Sequence, residues 1–175
     1  MKSLSLVYAG FCVFLCPVFY SACDESGQKL PPITMAGHNA FGCMVNGKIF
    51  VSKGVPGNVG TYAEVQYGQD TTGINIYATN SDTNQRFVFS LYDSPDLVEH
   101  RRYYFLPAQN YSVFYLTQGC DYSRDNLIDG WIEISKYDIN GSIMSGTFEF
   151  TVGDPNCGDA IKVTEGRFDI GEFIR

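Results

Sequence analysis

From Phe41 onward the chain runs in short stretches rich in β-branched and aromatic residues, parted at roughly ten-residue intervals by turn-forming clusters. The stretches are Thr61 to Tyr67, Ile74 to Thr79, Arg86 to Leu91, Arg102 to Leu106, Ser112 to Thr117, Trp131 to Lys136, Thr147 to Val152 and Ile161 to Ile170. In Trp131-Ile132-Glu133-Ile134-Ser135-Lys136 and in Phe148-Glu149-Phe150-Thr151-Val152 one face is apolar and the other polar, as in a sheet wetted on one side. The breaks, such as Asn80-Ser81-Asp82, Asp93-Ser94-Pro95-Asp96 and Asp138-Ile139-Asn140-Gly141, carry turn chemistry. Asn46-Gly47 lies between Met44-Val45 and Ile49-Phe50-Val51, the pattern of a two-residue hairpin whose turn needs positive φ at both positions. No stretch beyond residue 30 has the period of an amphipathic helix of three turns. Hydrophobic residues make up 45% of the chain and charged residues 18%, which is enough apolar surface for a core and excludes disorder as the main state. Residues 41–175 are therefore expected to form one all-β domain, an antiparallel β-sandwich or flattened β-barrel of about ten strands.

The N-terminus carries an address. Met1-Lys2-Ser3 brings one positive charge, and an apolar run from Leu4 to Tyr20, broken by Pro17, ends in small residues and then Asp24-Glu25. That run is too short for a membrane span and reads as a signal-peptide helix over 1–22. Ser21-Ala22-Cys23 resembles the lipobox of bacterial lipoproteins, in which the signal is cleaved before a cysteine whose thiol carries diacylglycerol. Cys23 is thus the expected lipidation site, and residues 23–40, with Pro31-Pro32 and few large apolar side chains, the expected flexible tether. The membrane, reached through the lipid anchor, is the first expected partner.

Processing changes the cysteine arithmetic. Cys12 and Cys16 leave with the signal and Cys23 is acylated, so Cys43, Cys120 and Cys157 remain. Cys120 and Cys157 both sit in turn-rich surroundings where loops meet, whereas Cys43 lies in Phe41-Gly42-Cys43-Met44-Val45 as a small hydrophobe. A Cys120–Cys157 disulfide is expected, with Cys43 reduced.

The groups that chemistry requires are scarce. Twelve basic against 19 acidic residues give a net charge of −7, which argues against nucleic acid as a partner. The two histidines, His38 and His100, are in no nucleophile pattern. Glu64, Glu99, Glu133, Glu149 and Glu165 are available for a carboxylate pair, but alternation turns most of them to solvent. The stretch from Asp121 to Gly130 has oxygen ligands at Asp121, Asp125 and Asp129 with the spacing of a loose calcium loop, yet lacks the glycine and flanking helices of an EF-hand. No cofactor motif is present. Tyr103 and Tyr104, with Tyr111 and Tyr115, are candidates for stacking against sugar rings, with alternation sending part of each cluster into the core.

Gly37 to Lys48, with its Phe-Gly-Cys-Met-Val-Asn-Gly-Lys core, together with Ile143 to Phe150 and Ile161 to Asp169, resembles the opening and closing strands of a family of small Bacteroidota lipoproteins of unknown function. The resemblance implies an all-β domain on a membrane tether and brings no catalytic residues. Asp24-Glu25 is similar to the surface-export signals of that phylum, which implies an outer-membrane lipoprotein of the cell envelope exposed at the surface, whereas under enterobacterial rules the same residues would mean retention at the inner membrane. The expected function is a non-catalytic module that binds a glycan or a protein partner. The competing expectation is a secreted hydrolase using carboxylates or calcium.

Overall fold

A computed structural model describes residues 27–55, 60–67, 72–93, 97–106 and 111–174. The signal segment 1–22 and Cys23 lie outside the described residues. Two six-stranded sheets pack face to face. The first, sheet A, contains β1 (Ala40–Val45), β2 (Lys48–Val51), β6 (Arg101–Tyr104), β9 (Leu127–Asp138), β10 (Ile143–Val152) and β11 (Ile161–Ile170), in the order β2-β1-β11-β10-β9-β6. Sheet B contains β3 (Thr61–Tyr67), β4 (Thr72–Asn80), β5 (Gln85–Asp93), β7 (Tyr111–Thr117), β8 (Cys120–Tyr122) and β12 (Phe173–Ile174), in the order β12-β3-β4-β5-β7-β8. The sheets do not close on each other, so the fold is a sandwich and not a flattened barrel. All strand pairs are antiparallel except β12 with β3, where the C-terminus adds a short parallel edge.

Alternation builds the core. Phe41 and Phe148 of sheet A meet Phe87 and Phe89 of sheet B, with centroids 5.4 Å apart for Phe41–Phe87 and 4.7 Å for Phe89–Phe148. Rings at these separations gain edge and offset contacts beyond their area burial. Asn46 and Gly47 have φ of 47° and 79°, the left-handed values the hairpin demands, and β1 and β2 pair on either side. The Asn46 side chain also accepts the Lys162 N–H at 2.7 Å, fastening the turn to β11. Cys120 and Cys157 form a disulfide with Cα atoms 5.9 Å apart, linking the start of β8 in sheet B to the loop between β10 and β11 of sheet A, while Cys43 is a buried free thiol.

The span read as a flexible tether over 23–40 is fastened to the body along its later part. Gln28 lines a cavity with Val45, Asn46 and Lys48. Pro31 lies on the outer face of β1 above Gly42, where an added Cβ would stand 2.5 Å from the proline ring. Further on, the carboxylate of Asp169 in β11 accepts the Thr34 hydroxyl at 2.5 Å and the backbone N–H groups of Ala36, Gly37 and His38 at 3.2, 2.8 and 3.3 Å. The composition of this segment concealed the docking, because its hold is a buried acid in a distant strand, joined by Asn39 Oδ1 accepting the Gly171 N–H at 2.8 Å, and not an apolar stripe of its own. Residues 28–39 thus form a strap along sheet A.

Candidate functional site

The outward face of sheet A is ordered by strand register. Tyr104 in β6 stands opposite Trp131 in β9, which stands opposite Glu149 in β10. One row along, Asp129 opposes Thr151, which opposes Lys162 in β11. Directly paired residues share a face, with Cβ atoms about 4.5–5.5 Å apart. Ile132, Phe148 and Phe150 turn inward, so Trp131 and Glu149 turn outward. The register between β10 and β11 shifts between Phe148 and Phe150, and Glu165 on the other strand takes φ 52°. Such a bulge bends the sheet and re-aims nearby side chains. Beside it, Tyr104, Asp129, Trp131, Glu149, Lys162 and Thr164 surround a cleft of about 400 Å³.

Trp131 is held in place by its neighbours. The Arg102 guanidinium sits 3.8 Å from the centre of its ring system and reaches Glu133 at 3.1 Å, a cation–π contact locked by an ion pair. Tyr104 is 55% exposed. Among the described residues no salt bridge engages Asp129, Glu149 or Lys162, so two carboxylates and an ammonium line the cleft uncommitted.

Most of the tyrosines singled out from sequence are core residues. Tyr103, Tyr111 and Tyr115 are buried; Tyr104 alone of the four is open to solvent. The buried hydroxyls have internal partners, which is what allows tyrosine into a core. Tyr103 accepts the Val98 N–H at 2.7 Å, and Tyr115 takes the Gln85 side-chain N–H at 2.7 Å. Burial pushes the Tyr115 phenol up to about 12, with the Cys43 thiol adding to the rise.

The calcium candidates are not brought together. Asp121 is on β8 of sheet B, Asp125 in a 3₁₀ turn over Arg124–Asn126, and Asp129 on β9 of sheet A, since this stretch is the crossing from one sheet to the other. Beside Asp125, Asn126 Oδ1 accepts the Ser123 N–H at 2.9 Å and Asn126 Nδ2 donates to Asp154 at 2.8 Å, so the turn is closed by its own amide. No group of three or more His, Cys, Asp or Glu side chains is placed to hold a metal ion among the described residues.

Of the five glutamates available for a carboxylate pair, four are engaged elsewhere. Glu64 accepts the Tyr77 hydroxyl, Glu99 accepts the Tyr137 N–H and pairs with Lys136, Glu133 holds Arg102, and Glu165 pairs with Arg167. Glu149 is the one facing the cleft. Trp131 and Lys162 were not singled out from sequence. The signal was nonetheless there for Trp131, since it occupies the outward phase of a strand whose alternate positions, Ile132 and Ile134, belong to the core.

Compared with known proteins, the chain matches no family model, no curated protein and no solved structure.

Proposed function

We propose that the protein is a lipid-anchored, non-catalytic module of the bacterial outer membrane, of the Bacteroidota lipoprotein type, that binds a saccharide on the outer face of sheet A. The observation that carries this reading is the pairing of exposed Tyr104 with a pre-positioned Trp131 beside the unpaired charges of Asp129, Glu149 and Lys162. Aromatic rings offer an apolar platform to the C–H face of a sugar, and carboxylates and an ammonium accept from and donate to its hydroxyls. The shallow, open form of the cleft suits one stretch of a longer glycan.

A second reading, a hydrolase, draws on one feature of the same cleft: Asp129 and Glu149 both line it. Two measurements on the mature domain separate the readings. Thermal shift against envelope and host glycans should find a ligand that raises the melting temperature, with the shift lost in Tyr104→Ala. Incubation with that glycan should leave it intact. Turnover abolished by Asp129→Asn or Glu149→Gln would transfer the protein to the hydrolases.

A further inference from the structure

We infer that the end of the sandwich bearing Gln28 rests against the phospholipid bilayer, and that the open mouth between the sheets at that end faces the headgroups. The inference rests on acylation of Cys23. The strap is what sets the orientation. Because residues 28–39 follow sheet A from the β1–β2 turn to Asp169, the chain leaves the body at Gln28, beside Val45, Asn46 and Lys48. Only five residue steps separate Gln28 from Cys23, which span at most about 17–18 Å when fully extended. The ten residues of β11 extend about 33 Å from Ile161, at the Gln28 end, to Ile170. A leash shorter than the body it holds keeps its own end of that body near the membrane.

Two features of this end suit a headgroup layer. A cavity of about 660 Å³ opens there, with Phe50 and Ile161 among its apolar walls and Gln28, Asn46, Lys48 and Thr83 exposed around it. Lys29, Lys48 and Lys162 also gather here: Lys29 follows Gln28, Lys48 follows the hairpin turn, and Lys162 is bonded through its backbone to Asn46. None of the three is in a salt bridge among the described residues. Asp159, two residues before Ile161, and Asp24 and Glu25 on the leash stand against them. These carboxylates offset the lysines, so the short leash and not net charge holds this end to the membrane, and the lysines give the headgroup phosphates local partners.

The test uses the full acylated protein in vesicles containing anionic phospholipid and nitroxide-bearing lipid. A fluorophore is placed through Thr83→Cys at the near end or Asn140→Cys in the β9–β10 turn at the far end. Cys43 is buried with its thiol pushed up by burial, and Cys120 is bonded to Cys157, so the introduced thiol is the reactive one in the processed chain. Quenching at position 83 is expected to exceed that at position 140 several-fold, and the excess to shrink when Lys29→Glu and Lys48→Glu are combined. Equal quenching at the two positions in protein that floats with the vesicles overturns the orientation and leaves the anchor standing. Failure to float, with an intact mass lacking acyl chains, overturns the anchor and the orientation with it.

Discussion

At the scale of single residues, Asp169 ties the strap to the sandwich. It is 2% exposed, and burial alone would raise its carboxyl. Hydrogen bonds from Thr34, Ser145, Gly37 and His38 outweigh that and hold it at about 2. In an unfolded chain an aspartate titrates near about 3.9. The charged form is therefore favoured by folding, and the stability it contributes is complete above pH ~4 and lost as pH falls through about 2. Asp169→Asn, which keeps the shape but removes the charge and one acceptor, should lower stability by roughly 1–3 kcal/mol at neutral pH. It should also flatten the acid limb of a melting-temperature profile measured between pH 2 and 5. Asn75 presents the opposite case. Its side-chain oxygen is buried without a partner in the outward row of sheet B between Glu64 and Ser90. Replacing an unsatisfied amide by an apolar side chain removes its desolvation cost, so Asn75→Val is expected to be neutral or to stabilise by up to about 1 kcal/mol in chemical denaturation. A loss of more than that would mean the amide has a partner, such as an ordered water.

At the scale of elements, the sequence spoke most clearly where pattern and turn chemistry agreed. Thr61 to Tyr67 forms a strand at the bounds read from its residues, and Asn46-Gly47 makes the expected turn. Asn46→Val with Gly47→Val should cost roughly 1–2 kcal/mol at each position, because β-branched residues resist left-handed φ, and should also forfeit the bond to Lys162. Urea denaturation reads that loss. The strands read as Trp131 to Lys136 and Thr147 to Val152 extend to Leu127–Asp138 and Ile143–Val152. Local composition understated them, since Asp129, Gly130 and Gly146 are poor strand formers that are held by neighbours on both sides. Strands β8 and β12 are too short to show any period. Alternation could identify inward and outward sets but not their members in Tyr103-Tyr104-Phe105, where every side chain is aromatic; Tyr104 emerges as the outward one only once Phe105 is seen in the core. The disulfide was legible because both cysteines have turn-forming residues beside them in the sequence, although Cys120 itself opens β8. Reducing it should lower stability by about 2–4 kcal/mol, since it closes an interval of 37 residues. Melting with and without reductant measures this, and a Cys43→Ala variant should show the same decrement.

At the scale of the whole molecule, the two sheets divide the work: their inner faces supply the core, and the outer face of sheet A carries both the strap and the cleft. The cleft was the least legible feature in the sequence, because Tyr104, Trp131, Glu149 and Lys162 come from four strands joined only by register. Acylation of Cys23 is expected to appear as an intact mass beginning at that residue and carrying acyl chains, and a soluble product starting elsewhere would refute it. Trp131 is the only tryptophan in the chain, so intrinsic tryptophan emission reports from the cleft itself. The decisive measurement is a titration of the mature domain with each glycan that raises its melting temperature, read by Trp131 fluorescence in the native protein and in Tyr104→Ala. Saturable change in emission that tracks the thermal shift and falls at least tenfold in affinity in Tyr104→Ala is the predicted result; a glycan that stabilises the domain with no change at Trp131 and equal affinity in Tyr104→Ala would contradict the assignment of the site.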